Sequence, residues 1–305
     1  MAQEFCASVP CQFIHHSAME PGEYEALVAR ASAGHTSAAT ELLQSMRTHK
    51  IHHPEVVITH GGRLLNGNSR KLGGDLWTVL EQVFLAAVEL GLNNWRDYCL
   101  GELTKQFPNS HRVERLKGIY EESCERWSEA KSIYEKMIKE KPEDAASRKR
   151  LIALHKQRGR IPEAMKEMTE YLDTFSTDTE VWHELQELYI EAGSLQRAVF
   201  CSEELIMNNP HSMYHTLTYA ELLYSTGDFE LSRKYFSMAC YLDGDSLRAL
   251  WGLLMVNLQL ADKDKGNEKM KQLQTFAIER LTITYKSVGT HGEHALALLP
   301  TLTIG

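Results

Sequence analysis

No stretch of this 305-residue chain reaches the roughly 20 uninterrupted apolar residues that a membrane-spanning helix needs. The two most apolar windows, LWTVLEQVFLAAVELGL (76–92) and LRALWGLLMVNLQLA (247–261), are interrupted by Glu81, Gln82 and Glu89 and by Arg248, Asn257 and Gln259. Any membrane association is therefore expected to be indirect. A basic balance is lacking too: the net charge is -8, a field that does not favour nucleic acid, and no nucleic-acid motif is present. Cysteines are sparse and scattered (Cys6, Cys11, Cys99, Cys124, Cys201, Cys240), unlike a small disulfide-stapled domain, which fits a reducing compartment. The first 20 residues hold Glu4, no Lys or Arg and no continuous apolar run, so a secretory signal is not expected and a cytosolic location is. There is no Gly-rich phosphate loop, nucleophile elbow or HExxH, so no catalytic residues, no cofactor and no enzymatic activity are expected.

Histidine is the one ligand-type residue in local excess, with half of the 14 lying in the first 60 positions. Cys6, Cys11, His15 and His16 form C-x4-C-x3-H-H, which lacks the two-part clip around a folded loop that structural zinc requires, so no metal site is read there. His49, His52, His53 and His60 read as surface polar residues.

Helix breakers punctuate the chain at a fixed interval. QFPNSH (106–111) and NNPHSM (208–213) carry Pro108 and Pro210, and steps of 34 from Pro108 reach Pro142, Ser176, Pro210 and Gly244. A second series with the same period is Gly91, Glu125, Gly159, Gly193 and Gly227, where a first helix would turn into a second. The interval is that of the tetratricopeptide repeat, whose pattern W-x2-L-G-x2-Y, A-x3-F, P is met in part by Trp182, Leu185, Tyr189, Ala198 and Pro210, and by Gly118, Ala130, Tyr134 and Pro142. Small residues at 130, 164, 198 and 232 let the second helix approach the first, and Tyr134, Met168 and Phe236 fill the space four positions on in three of the units.

The fold expected is therefore all-α, a right-handed tetratricopeptide-repeat solenoid. Its repeats are 77–110, 111–144, 145–178, 179–212 and 213–246. A degenerate sixth unit begins at Leu247, passes the charged ADKDKGNEK and ends in a capping helix at about 270–285, completing the segment 247–305. Ahead of the repeats, irregular helices are expected at about 24–33, 37–49 and 54–65, with 66–75 a linker by composition and residues 1–20 mobile.

In this frame the inward positions of each first helix are the second, fifth, ninth and twelfth. They select Arg112, Arg115, Lys149 and Lys156, then His183, Glu187, Tyr214, Glu221 and Tyr224, a groove basic early and aromatic with acid later. Such a groove suits an extended or helical peptide. Co-chaperone tetratricopeptide domains that clamp a terminal carboxylate place Lys and Asn at the fifth and ninth positions, whereas the ninth positions here are Ile119, Ala153, Glu187 and Glu221. A soluble co-chaperone adaptor that binds peptide tails is thus the alternative, not the leading, reading.

Six strings go beyond the generic repeat: LGGDLWTVLEQVFLAAVELG (72–91), QFPNSHRVERLKG (106–118), AASRKRLIALHKQRG (145–159), VWHELQELYIEAG (181–193), AVFCSEELIMNNPH (198–211) and LSRKYF (231–236). In this order they resemble the family of subunit 2 of the endoplasmic reticulum membrane protein complex, over about residues 72–260. They include Ser110, His111 and Arg112, taken as exposed residues that the fold does not require. The resemblance implies a non-catalytic, peripheral scaffold on the cytosolic face of the endoplasmic reticulum membrane, in a hetero-oligomeric machine that inserts tail-anchored and multipass membrane proteins. Its implied partners are a small cytosolic subunit and the cytosolic segments of membrane-embedded subunits. The stretch carrying CASVPCQFIHH and the residues after about 286 lie outside the resemblance.

Overall fold

The computed structural model describes residues 21–261, 268–287 and 292–299. Among these residues there is no strand, and no helix is long and apolar enough to cross a membrane. The chain forms two compact units, 1–147 and 148–305. In the first unit lie α1 (Pro21–Ser32), α2 (Thr36–Thr48), α3 (Pro54–Asn68), a 3-10 run (Ser69–Asp75), α4 (Leu76–Glu89), α5 (Asn93–Gln106), α6 (His111–Ser123) and α7 (Trp127–Glu140). The helix α8 (Ala145–Gln157) starts at the end of that unit and belongs mostly to the second. There it is followed by α9 (Ile161–Leu172), α10 (Thr179–Glu191), α11 (Leu195–Asn208), α12 (Met213–Thr226), α13 (Phe229–Leu242), α14 (Leu247–Leu260), α15 (Glu268–Ser287) and α16 (Glu293–Leu298). Residues 66–75, read as a linker, carry the end of α3 and the 3-10 run, which kinks at Gly73. The residues Cys6, Cys11, His15 and His16, and most of the charged linker after Ala261, lie outside the described residues.

Two backbone devices recur at the 34-residue interval. The first closes the five hairpins α4–α5, α6–α7, α8–α9, α10–α11 and α12–α13. Gly91, Glu125, Gly159, Gly193 and Gly227 all have φ between 60° and 88°, the left-handed conformation in which a helix stops and its last carbonyls find new donors. In the first unit the N–H of Leu92 donates to Ala87 at 2.8 Å and that of Arg126 to Glu121 at 2.9 Å. In the second unit Arg160 donates to His155 at 2.9 Å, Ser194 to Tyr189 at 2.8 Å and Asp228 to Leu223 at 3.0 Å. Glu125 does this with a side chain, at a cost of about 1–2 kcal/mol relative to glycine's freedom.

The second device opens each following first helix: Ser110, Asp144, Asp178, Ser212 and Ser246 share one register. Four of them accept a hydrogen bond from the backbone N–H three residues on: Asp144 from Ser147 at 3.3 Å, Asp178 from Val181 at 3.4 Å, Ser212 from His215 at 3.4 Å and Ser246 from Ala249 at 3.5 Å. Each satisfies one orphan donor of a helix start.

Close approach inside the hairpins follows from small residues. In the first unit Ala130 and Tyr134 are fully buried, and a Cβ on Gly118 would sit 2.5 Å from the Tyr134 ring. In the second unit Ala164 pairs with Met168 and Ser232 with Phe236, all buried, and the Phe236 ring lies against Gly252 so closely that no side chain fits there. At Ala198 the residue four on is Ser202, and a buried Gln186 donates to its hydroxyl in place of apolar contact. The last first-helix, α14, is covered by α15 through Leu250, Leu253, Leu254, Ala277 and Leu281, and Trp251 donates to the Tyr285 hydroxyl at 2.9 Å.

One histidine departs from expectation. His52 is exposed and lies 3.0 Å from Glu89, and exposed His53 stacks on Tyr24, but His60 is buried, only 3% exposed. It sits between Val57 and Leu64 on the inner face of α3, because positions three and four apart on a helix share a face. Burial, then the nearby charge of Arg63, holds its pKa below the ordinary value.

Replacing Glu125 by Gly is expected to raise unfolding stability by roughly 0.5–1 kcal/mol, the relief of strain less the greater freedom of glycine in the unfolded chain. A urea titration with unchanged slope checks this. His60 binds its proton less readily folded than unfolded, so its contribution is intact above the unfolded pKa of about 6.5 and stability falls as pH drops below it. The variant His60→Leu is expected to lose less stability than the parent between pH 7 and 5 in paired thermal melts.

Candidate functional site

The sequence-selected cations face carboxylates supplied by neighbouring elements. In the first unit Arg112, on α6, grips Glu81 of α4 with Nε at 2.8 Å and Nη2 at 2.5 Å. Arg115, one turn on, lies 3.6 Å from Asp144, the residue that caps α8. Burial pushes the Asp144 carboxyl up, but hydrogen bonds from Ser147 and the charge of Arg115 outweigh it and hold it below the usual carboxylate range. Ser110 and His111, expected to be exposed, are half-buried; Ser110 stands at the start of α6 and His111 lies 3.8 Å from Glu140. The fold thus uses positions that had looked surplus to it.

The second unit repeats the arrangement one period later. Lys149 Nζ lies 2.6 Å from Asp178 and 3.5 Å from Glu180, with the Tyr171 ring 5.9 Å away. Asp178 also accepts from the Tyr171 hydroxyl at 2.7 Å and caps α10. Burial raises its carboxyl, and the bonds from Lys149 and Tyr171 more than reverse this. Lys156 pairs with Glu184. Between these ion pairs α8 and α10 line a half-open cavity of about 150 Å³ whose apolar wall is Ile152, Ala153 and Val181.

Farther along the second unit, His183 lies 3.5 Å from Glu187 and its ring is 6.5 Å from that of His215. Burial and then the neighbouring His183 hold His215 below its ordinary pKa. Tyr214 is 62% exposed. Glu221 accepts two bonds from Arg248, at 2.7 and 2.6 Å. Tyr224 packs edge-on against Phe229 at 5.3 Å and joins the core around α14. The structure therefore brings Lys149 and Lys156 to one cavity and His183 beside Glu187, and it makes Tyr224 largely structural.

Sequence reasoning missed the acids: Glu81, Asp144, Asp178, Glu180 and Glu184, and the partner cation Arg248. A signal existed for two of them, since Asp144 and Asp178 stand 34 apart, as Arg115 and Lys149 do, so that each acid follows its cation by the same 29 positions. Among the described residues no group of three or more His, Cys, Asp or Glu could hold a metal ion. The buried thiols of Cys99 and Cys201 are pushed up to about 12 and that of Cys240 to about 11, far from the thiolate a nucleophile needs.

Because asparagine remains a good cap, Asp178→Asn isolates the ion pair from the cap. It is expected to cost about 1–2 kcal/mol, and Asp178→Ala about 1 kcal/mol more, in denaturant unfolding of the whole chain. The contribution of the charge is present above the unfolded carboxylate pKa, about 3.9, and is lost as pH falls through the lower folded value.

Residues 99–235 match the model of the EMC2 TPR-like repeat domain. The chain is 41% identical over 254 residues to "ER membrane protein complex subunit 2-B" of Xenopus laevis, covering 81% of this chain and 86% of that protein. It is 30% identical over 172 residues to "ER membrane protein complex subunit 2" of Dictyostelium discoideum, covering 56% of this chain and 53% of that protein. "TPR repeat protein oca3" of Schizosaccharomyces pombe is 29% identical over 171 residues, covering 56% of this chain and 61% of that protein. With identity at this level running through both hairpin units, the all-α chain belongs to the family of endoplasmic reticulum membrane protein complex subunit 2.

Proposed function

We propose that this protein is a non-catalytic scaffold subunit of an endoplasmic reticulum membrane protein complex. It sits peripherally on the cytosolic face of that membrane and supports insertion of tail-anchored and multipass membrane proteins by organising its partners. The observation that carries this reading is the 41% identity, over 86% of its length, to a relative named as subunit 2 of such a complex. The residues add a physical rationale. Paired helices held by recurrent caps, turns and ion pairs form rigid elements, and rigidity lowers the entropic cost of fixing partner segments. Functionally, the chain divides into N-terminal helices (21–76), five repeats (77–246) and a degenerate repeat with its cap (247–305). Its partners are a small cytosolic subunit and the cytosolic segments of membrane-embedded subunits.

The co-chaperone alternative needs a free cation at the fifth position to take a terminal carboxylate. At Lys149 that role is already filled by Asp178, 2.6 Å away, which favours the scaffold reading.

Affinity purification of the tagged chain from detergent-solubilised membranes tests the proposal. Integral membrane proteins are expected in stoichiometric yield, and recovery of none of them overturns it. Arg112→Glu, which sets two acids face to face at an exposed pair with Glu81, is expected to lower co-purification severalfold while the melting temperature stays within a few degrees. Full recovery with Arg112→Glu removes that arginine from the partner-binding face.

A further inference from the structure

The two lysines that gave the first-helix face of the second unit its basic look, and Arg248 farther along it, are neutralised from within. Lys149 is held by Asp178 and Glu180, Lys156 by Glu184, and Arg248 by Glu221. Three cations thus meet four carboxylates in pairs, and Glu187 adds a fifth acid whose neighbour is His183, a group charged only when protonated. The least covered acids are Glu180, with 79% of its side chain exposed, and Glu187, with 61%. On α10 the positions 180, 184 and 187 follow one another at helical spacing and form one acidic stripe. Beside that stripe, Glu180 and Glu184 rim the cavity floored by Ile152, Ala153 and Val181. A space of about 150 Å³ takes one leucine- or phenyl-sized group. Exposed Tyr214, on α12, offers an aromatic face that attracts a cation.

From these features we infer that the first-helix face of the second unit takes a short basic segment of a protein partner. An aliphatic side chain of that segment fills the cavity between α8 and α10, and an adjacent Lys or Arg lies along Glu187 and Tyr214. The inference rests on the scaffold function proposed above and names the chemistry of one partner segment. It reverses the polarity that the sequence suggests for Lys149 and Lys156. Their charges are spent on the protein's own acids, so an incoming carboxylate would have to displace Asp178 or Glu184. A basic segment displaces none of these pairs and meets Glu187 and the exposed edge of Glu180.

Fluorescence anisotropy on the full chain tests this with a labelled 12-residue peptide of repeating Arg-Leu-Lys and a counterpart of repeating Glu-Leu-Asp. The basic peptide is expected to bind at least tenfold more tightly than the acidic one and to weaken as salt rises. Ala153→Trp fills the cavity without altering a charge, and Glu187→Lys reverses the charge at one end of the stripe. Each is expected to weaken binding at least tenfold while leaving the melting temperature within a few degrees. Equal or tighter binding of the acidic peptide overturns the inference, as does unchanged affinity in both variants. If membrane subunits still co-purify with a chain that ignores the basic peptide, the inference fails and the scaffold function stands. If co-purification is itself lost from the parent chain, the scaffold function fails.

Discussion

A left-handed residue at the end of the first helix, at Gly91, Glu125, Gly159, Gly193 and Gly227, is the constraint on which these five hairpins depend. A helix leaves its last carbonyls without donors, and the second helix of a hairpin packs back only if the chain reverses within about three residues. One residue at positive φ accomplishes both, turning the chain and delivering an N–H to a carbonyl of the preceding turn, as Arg160 does to His155. Everything else in the hairpin is downstream of that reversal. The two helices become antiparallel, their small residues meet, and Tyr134 can lie against Gly118, while Phe236 at the back of its hairpin meets Gly252 of the next first helix. The penalty at Glu125 shows that position outranks residue preference: the turn is made even where the residue resists it.

The same ordering explains what could be read from the sequence. Glycine at 91, 159, 193 and 227 advertises its conformation, and the shared interval lends that reading to Glu125. The packing of Ala130 against the first helix was legible for a similar reason, because the small residue and the ring four positions on are local in sequence. The caps at Asp144 and Asp178 were less visible, since Asp and Ser start helices and end turns alike. His60 was misread although Val57 and Leu64 bracketed it at helical spacing; its polarity outweighed its position. The ion pairs were the least legible. Arg112 meets Glu81 and Arg248 meets Glu221 across different numbers of residues, a result of how whole helices pack and of nothing in the local pattern.

That gap matters most for the candidate site. Inward positions of a repeat are set by the frame, so Lys149, Lys156, Glu187 and Tyr214 could be selected without coordinates. Their electrostatic character could not, because it depends on which carboxylates arrive from the next repeat. An exposed ion pair adds little stability, but it fixes what the surface offers a partner. A lysine held at 2.6 Å from an aspartate no longer presents a free positive charge, while Glu187 on the same face, 61% exposed and beside a histidine, presents a negative one.

Asp178 shows why such a face is hard to change by drift in single residues. It caps α10, accepts from Tyr171 and holds Lys149, so apart from asparagine, which keeps an accepting oxygen, a substitution that freed the lysine would also weaken a helix start and leave a buried hydroxyl short of its acceptor. Three demands met by one carboxylate tie the polarity of this face to the integrity of the hairpin behind it. Glu187 carries no such burden, for its neighbour is a histidine on its own helix. The structural acids therefore set the polarity of the face, and the unburdened acid at 187 is where its charge can vary without cost to the fold.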